Sequence, residues 1–351
     1  MADLEAAPVS YEDLAFIEDE FEEVDTEISS LLPHNLNVRK QYELSASLYA
    51  KRSAAASKIP NFWSLVFEQA PVEIDQYVQP HDSRIFAESL ISFDVRRPEL
   101  DTTGSGNPRS ISVKFEFKPN DDFEDTVLEK TFWYRRSRDG WAGLVSEPVK
   151  IRWKKGKDLT EGLTDGAIAL WEARKKIGDT TAKGLPEYTA LKKKVESWNG
   201  MNTSFFTWFG WVSGRRWVSA EESEKANAEY AELKQKRKAG ARVDVPDDED
   251  DAEADIHDDD VEVHQAGEEL AISFADDLWP NAIKLFTQAQ EDDEEISEAD
   301  FEDLDGEDME DDEDGDGEPV DIRALVQDKG AKGRSRDSTG STGPPSKKTK
   351  K

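Results

Sequence analysis

Two stretches of this chain cannot contribute to a core, and they decide what the remainder can be. Residues 244–262 hold 12 Asp or Glu and residues 291–318 hold 19, with no Lys or Arg in either. Like charges at this density repel one another and stay solvated, so both runs are expected to be disordered. The 351 residues carry 78 acids and 45 bases, a formal net charge of -33, yet outside the two runs 47 acids face those 45 bases. The foldable part is therefore nearly neutral. Acidity placed in detachable segments repels phosphate and suits a basic partner, so no sequence-specific nucleic-acid binding is expected. A tail that only keeps the chain soluble is the alternative.

The residue inventory excludes several chemistries. There is no cysteine, hence no disulfide, zinc-thiolate site or thiol catalysis. No apolar run approaches the roughly 20 residues that cross a bilayer, and the N-terminus has no signal-peptide core. A soluble, intracellular chain without membrane contact is expected. His34, His81, His257 and His264 sit in no spacing that suggests a triad or a metal site. Neither a Walker-type loop nor a dinucleotide glycine pattern is present. Asp312, Asp314, Asp316 and Gly317 match the opening of a calcium loop, but its last position is Arg323 instead of Glu. No metal, cofactor or catalytic residue is expected, and the chain reads as a non-enzyme.

Residues 10–60 read as helix. Leu14, Ile17, Phe21, Val24, Ile28 and Leu31 recur at alternating spacings of three and four, a heptad seam with charges between. The same register continues through Asn35, Val38, Tyr42, Ser45, Tyr49, Arg52, Ala56 and Ile59, and is more polar there. Pro33 should kink or break the helix, but it falls on the outer face of the seam. Such a seam must pack on its own domain or on a second copy of itself.

The period then changes. Ile111, Val113, Phe115 and Phe117 alternate with polar residues, as in a half-buried strand. Residues 84–96, 126–134 and 149–153 are expected as three more strands, with turns at 102–108 and 138–140. The result is an antiparallel meander covered on one face by helices. Residues 158–200 read as helical with breaks near Gly178 and at 184–186, and 219–238 and 266–290 as further helices.

Four segments resemble the SET/nucleosome assembly protein family, in family order. KIPNFW (58–63) is similar to the end of its backbone helix, and VKIRWKKGKDLT (149–160) to its last strand and the following turn. SFFTWF (204–209) is similar to its core motif, and DDLWPNAIKLF (276–286) to its final helix. GMNTSFFTWFGW (200–211) and LVSEPVKIRW (144–153) look closest to the fungal nuclear branch, whose members pair with a histone lysine acetyltransferase. The stretches 161–199 and 212–262 look like expansions without an assigned role, and the GRRW turn at 214–217 adds positive charge near the motif.

The resemblance implies an α+β fold: a dimerisation helix (10–60) and an earmuff domain (61–290). The domain would hold a four-stranded antiparallel sheet covered by helices, ahead of a disordered acidic tail (291–351). It implies a homodimer through Leu14, Ile17, Phe21, Val24, Ile28, Leu31, Val38, Tyr42 and Tyr49. It implies a histone chaperone whose partners are core histones, itself and an acetyltransferase; an acidic regulatory subunit of a nuclear enzyme is the second reading. Asp276 and Asp277 match the acidic pair facing the histone, with helix N-capping as the plainer role. Asp121, Asp122, Glu124 and Asp125 at a hairpin tip are further candidates, while Phe205, Phe206, Trp208 and Phe209 read as core. Lys332, Arg334 and Arg336, followed by Lys347, Lys348, Lys350 and Lys351, resemble a bipartite import signal and point to the nucleus.

Overall fold

Alternation of apolar and polar side chains builds the sheet, and aromatic residues of the strands meet those of the covering helices in the core. The computed structural model describes residues 17, 34–103, 106–198, 203–213, 217–238 and 261–291. Among these, strands β1 (Leu90–Arg96), β2 (Ile111–Phe117), β3 (Val127–Arg136) and β4 (Ala142–Ser146) form one antiparallel meander in that order. On β2, Ile111, Val113, Phe115 and Phe117 are all buried. Lys114 and Glu116, on the opposite face, are only half-buried and pair with each other at 2.6 Å. The alternate positions of a pleated strand thus divide core from surface.

Two of the expected strands are corrected. Residues 84–89 belong to helix α4 (Pro80–Ser89), so β1 begins only at Leu90. Arg-Ile-Phe-Ala-Glu-Ser-Leu satisfies either period over a short window, and Pro80 starts a helix well. The last strand is Ala142–Ser146 and not 149–153. A tight turn closes through Ser137 and Gly140, the latter at φ 97°, and returns the chain to pair at once, Arg136 with Ala142. Residues 149–153 run outside the sheet, with a single bridge from Phe123 to Trp153.

Helix α1 (His34–Ala56) leads through α2 (Phe62–Glu68) and α3 (Val72–Asp75) into α4. A short helix, α5 (Pro98–Thr103), joins β1 to β2. After the sheet come α6 (Leu163–Ile177), ended by Gly178 in the left-handed conformation, and α7 (Pro186–Ser197). A 3-10 helix (Phe205–Gly210) carries the aromatic motif, and α8 (Ala220–Lys238) follows. The chain closes with α9 (Gly267–Ser273), a π turn (Phe274–Leu278) and α10, a helix over 282–291.

The motif is the centre of the core. Phe205, Phe206, Trp208 and Phe209 are fully buried, and the Trp208 indole donates to Gly267 O at 2.9 Å. A Cβ on Gly267 would lie 2.1 Å from the Trp211 ring, so only glycine fits there. Asp82, on α4, is itself buried and pins the motif. Its carboxylate accepts from Ser204 Oγ at 2.6 Å, from Phe205 N at 2.7 Å and from Gln79 N at 3.0 Å. Lys130 stands where the alternation of β3 calls for an apolar residue, between Leu128 and Phe132. Its ammonium donates to the carbonyls of Glu147, Phe209 and Trp211 at 3.0, 3.2 and 2.8 Å, tying the motif to the sheet. Burial pushes that amine well below the usual lysine range.

The described half of the heptad register faces the chain's own domain. Ser45, Arg52 and Ala56 are buried. Tyr49 lies against Trp279 at 5.4 Å, and the Tyr42 hydroxyl donates to Asp101 at 2.6 Å. Val38 is half-buried on the same helix, and Ile17, 8% exposed, joins the main core. Leu14, Phe21, Val24, Ile28, Leu31 and Pro33 lie outside the described residues. So do the run 291–318, apart from Glu291, and the basic cluster at 332–351.

Candidate functional site

The sequence candidates separate into two places. The first is the π turn. Phe274, Ala275 and Leu278 anchor it inward, and Trp279 N donates to Phe274 O at 3.0 Å, one residue beyond the α-helical span. The extra residue leaves Asp276 and Asp277 together on the outer side, both exposed. They are not N-caps, because the turn continues α9 directly. Asp276 Oδ1 accepts from Arg97 at 3.0 Å, the aspartate exposed and the arginine side chain largely buried. The Asp277 backbone carbonyl takes the Asn281 amide at 2.8 Å. Its carboxyl is pushed up by partial burial first, then by the charges of Asp276 and of Glu73 on α3. Crowded carboxylates of this kind gain most from a cation that arrives from outside.

Two exposed apolar side chains stand on α3, which carries Glu73, and on α9, which the π turn continues. Val72 on α3 is 69% exposed and Ile272 on α9 is 40% exposed. Exposed aliphatics beside clustered carboxylates suit a partner that is both basic and amphipathic.

The second place is the loop before β3, where the four acids part company. Asp122 is 3% exposed, and both its oxygens accept from Arg84 Nη2 at 3.0 Å, with Lys157 at 3.8 Å. Asp125 accepts from Arg152 N at 2.6 Å and from Arg152 Nε at 2.8 Å. These two hold the loop in shape. Asp121 and Glu124 are exposed. Asp122 is therefore withdrawn from the contact surface, since its charge is already spent inside the fold.

Among the described residues no group of His, Cys, Asp or Glu could hold a metal ion, and no helix is long and apolar enough to cross a membrane. His264, two residues beyond the acidic run 244–262, is buried.

A family model described as nucleosome assembly protein (NAP) matches residues 5–289. The chain belongs to the nucleosome assembly protein family. A protein of Schizosaccharomyces pombe named for nucleosome assembly is 33% identical over 167 residues, covering 44% of this chain and 62% of that protein, less than two thirds of its length. NAP1-related protein 1 of Oryza sativa subsp. indica is 27% identical over 299 residues, 83% of this chain and 82% of the relative. Among solved structures, the Vps75 histone chaperone shares 20% identity over 80% of this chain and 98% of its own, at a TM-score of 0.44. Ccp1 shares 24% over 80% of this chain and 95% of its own, at 0.41.

Within this family frame, the sequence reading missed Glu73 and Val72. No local signal marks them, because α3 meets α9 only in three dimensions.

Proposed function

We propose that this chain is a non-enzymatic histone chaperone supporting nucleosome assembly, and that it acts as a homodimer joined through its N-terminal seam. The observation that carries the reading is the crowding of Glu73, Asp276 and Asp277, with the Asp277 carboxyl displaced upward, beside exposed Val72 and Ile272 on a chain of the nucleosome assembly protein family. Histones supply dense Lys and Arg on amphipathic helices. The shaped surface gives selectivity, and Asp121 and Glu124 extend it. The runs 244–262 and 291–318 screen the remaining charge through many weak, salt-sensitive contacts. Nuclear import rests on the clusters Lys332–Arg334–Arg336 and Lys347–Lys348–Lys350–Lys351. Support of a partner acetyltransferase rests on the resemblance of 144–153 and 200–211 to the fungal branch.

The test is histone affinity at several salt concentrations. Truncation after Gln290 should weaken binding without abolishing it and flatten its salt dependence. Changing Asp276 and Asp277 to Lys should reduce histone transfer to DNA, with a smaller loss of total binding. Complete loss on truncation would remove the role of the shaped surface. Absence of histone binding by the purified chain would leave the acidic regulatory subunit as the surviving reading.

A further inference from the structure

A cavity of about 410 Å³ lies apart from the acidic turn. Val263 and His264 form its buried floor. Tyr77, Gln79, Val195, Trp198 and Thr203 are its half-buried walls, and Gln76, Glu262 and Gln265 its exposed rim. The volume is in the range of ordinary ligand pockets.

His264 defines the chemistry. It is 4% exposed, and its ring lies 5.2 Å from the Tyr77 ring. Its Nδ1 accepts from Ala266 N at 3.2 Å, so the proton of the neutral imidazole resides on Nε2. Among the described residues nothing accepts from that Nε2–H. Burial and the nearby Lys130 ammonium push the imidazole down to about 3, so it stays neutral at physiological pH. A cation on the floor would meet the nearby Lys130 and the Nε2–H donor, while the lining carboxylate, Glu262, stands out on the exposed rim. An anion would have to approach a chain of net charge -33 past Glu262. What remains is an uncharged group that accepts a hydrogen bond, on a stem that can lie between aromatic and valine walls.

We propose that this cavity binds a neutral, carbonyl-bearing side chain on a long apolar stem, the chemistry of an acyl-lysine in a basic histone tail. The choice of tail rests on the histone reading above. The acyl carbonyl accepts from His264 Nε2–H. The methylenes lie along Tyr77, Trp198 and Val195, and the rim glutamines meet the peptide backbone. Acylation removes the charge that the acidic surfaces prefer, so this pocket and those surfaces recognise different states of the same lysine.

The experiment titrates the intact chain with a labelled histone-tail peptide carrying one acetyl-lysine, and with its unmodified twin. The salt is set at roughly 0.5 M NaCl, where the Debye length falls below about 5 Å and the acidic runs contribute little. The acetylated peptide should bind at least fivefold tighter. That ratio should fall to near one in Trp198→Ala and in His264→Leu. Val195→Ala, which shortens a half-buried wall along the stem, should lower it too and serves where the core variants fail to fold. Equal binding of the two peptides by the unaltered chain, or a ratio that survives in every folded variant, would overturn the proposal. Core-histone binding at low salt is measured alongside. If it persists without a peptide preference, only the cavity assignment falls; if it is absent, the chaperone reading falls and the peptide ratio still judges the cavity.

Discussion

Replacing Asp82 should show how strongly the aromatic motif depends on one buried carboxylate. Three donors converge on it: Ser204 Oγ at 2.6 Å, Phe205 N at 2.7 Å and Gln79 N at 3.0 Å. Asp82→Ala strands the Phe205 N–H and the Ser204 hydroxyl in a dry site and weakens the start of α4. At about 1–3 kcal/mol for each stranded buried donor, the loss should reach about 3–5 kcal/mol, a large share of a domain's about 5–15 kcal/mol. Asp82→Asn keeps an acceptor for both amides while Ser204 rotates to accept, so its cost should be about 1 kcal/mol or less. The two variants also differ from the parent in pH dependence. Burial, the largest influence, raises the Asp82 carboxyl above its ordinary value, and the three hydrogen bonds and His81 pull it back only in part. A raised folded value means the folded state holds the proton more tightly. The stabilisation from Asp82 is therefore complete below the ordinary aspartate range and is lost as pH climbs through the folded value. The amide of the Asp82→Asn variant does not titrate, so the gap between parent and variant should narrow, or reverse, from acid to neutral pH. Urea denaturation at fixed protein concentration, followed by tryptophan fluorescence, measures all three. An Asp82→Ala variant within about 1 kcal/mol of the parent, or no better and no worse than Asp82→Asn, would refute the pinning role.

Trp208→Ala should cost about 3–5 kcal/mol, and Trp208→Phe less, because the Phe ring keeps packing and loses only the indole bond to Gly267 O; thermal unfolding checks both. Asp122→Ala should lower stability by about 1–3 kcal/mol through its lost Arg84 pairing, whereas Asp121→Lys with Glu124→Lys should stay within about 0.5 kcal/mol and act on histone affinity instead; denaturation and binding run in parallel separate the two. Changing Phe21 and Ile28 together to Asp would place unpaired carboxylates in the N-terminal seam at a cost of several kcal/mol, and light scattering should show loss of the dimer; an unchanged dimer mass would remove the seam from the interface.

Much of the fold was legible because its signals are local. The alternation at 111–117, the Gly178 break and the glycine-closed turn at 137–140 each act within a few residues. Errors arose where a short window satisfied two periods, as at 84–89, or where a β-like segment pairs with a loop instead of the sheet, as at 149–153, which bonds to residues 122–124. For the candidate site, Asp276 and Asp277 stood out only through the resemblance of 276–286 to the family's final helix. Asp122 misled because its Arg84 partner is 38 residues away, and a charge at a loop tip reads as exposed until that partner is known. Glu73 and His264 could not be placed at all, since one depends on how α3 meets α9 and the other on its packing against Tyr77.

Arg52 ties these parts together. Its side chain is 0% exposed and donates to the Trp279 carbonyl, and its guanidinium lies 4.0 Å from the Trp279 ring centre and 4.9 Å from that of Tyr49. Each residue step along an α-helix turns it by about 100° and advances it about 1.5 Å. Rolling or sliding α1 by one step would drag a charged group across an apolar wall. The helix is therefore indexed to its domain like a keyed shaft, and the carboxylates of Asp276 and Asp277, just upstream of the gripped carbonyl, keep a constant bearing to its axis.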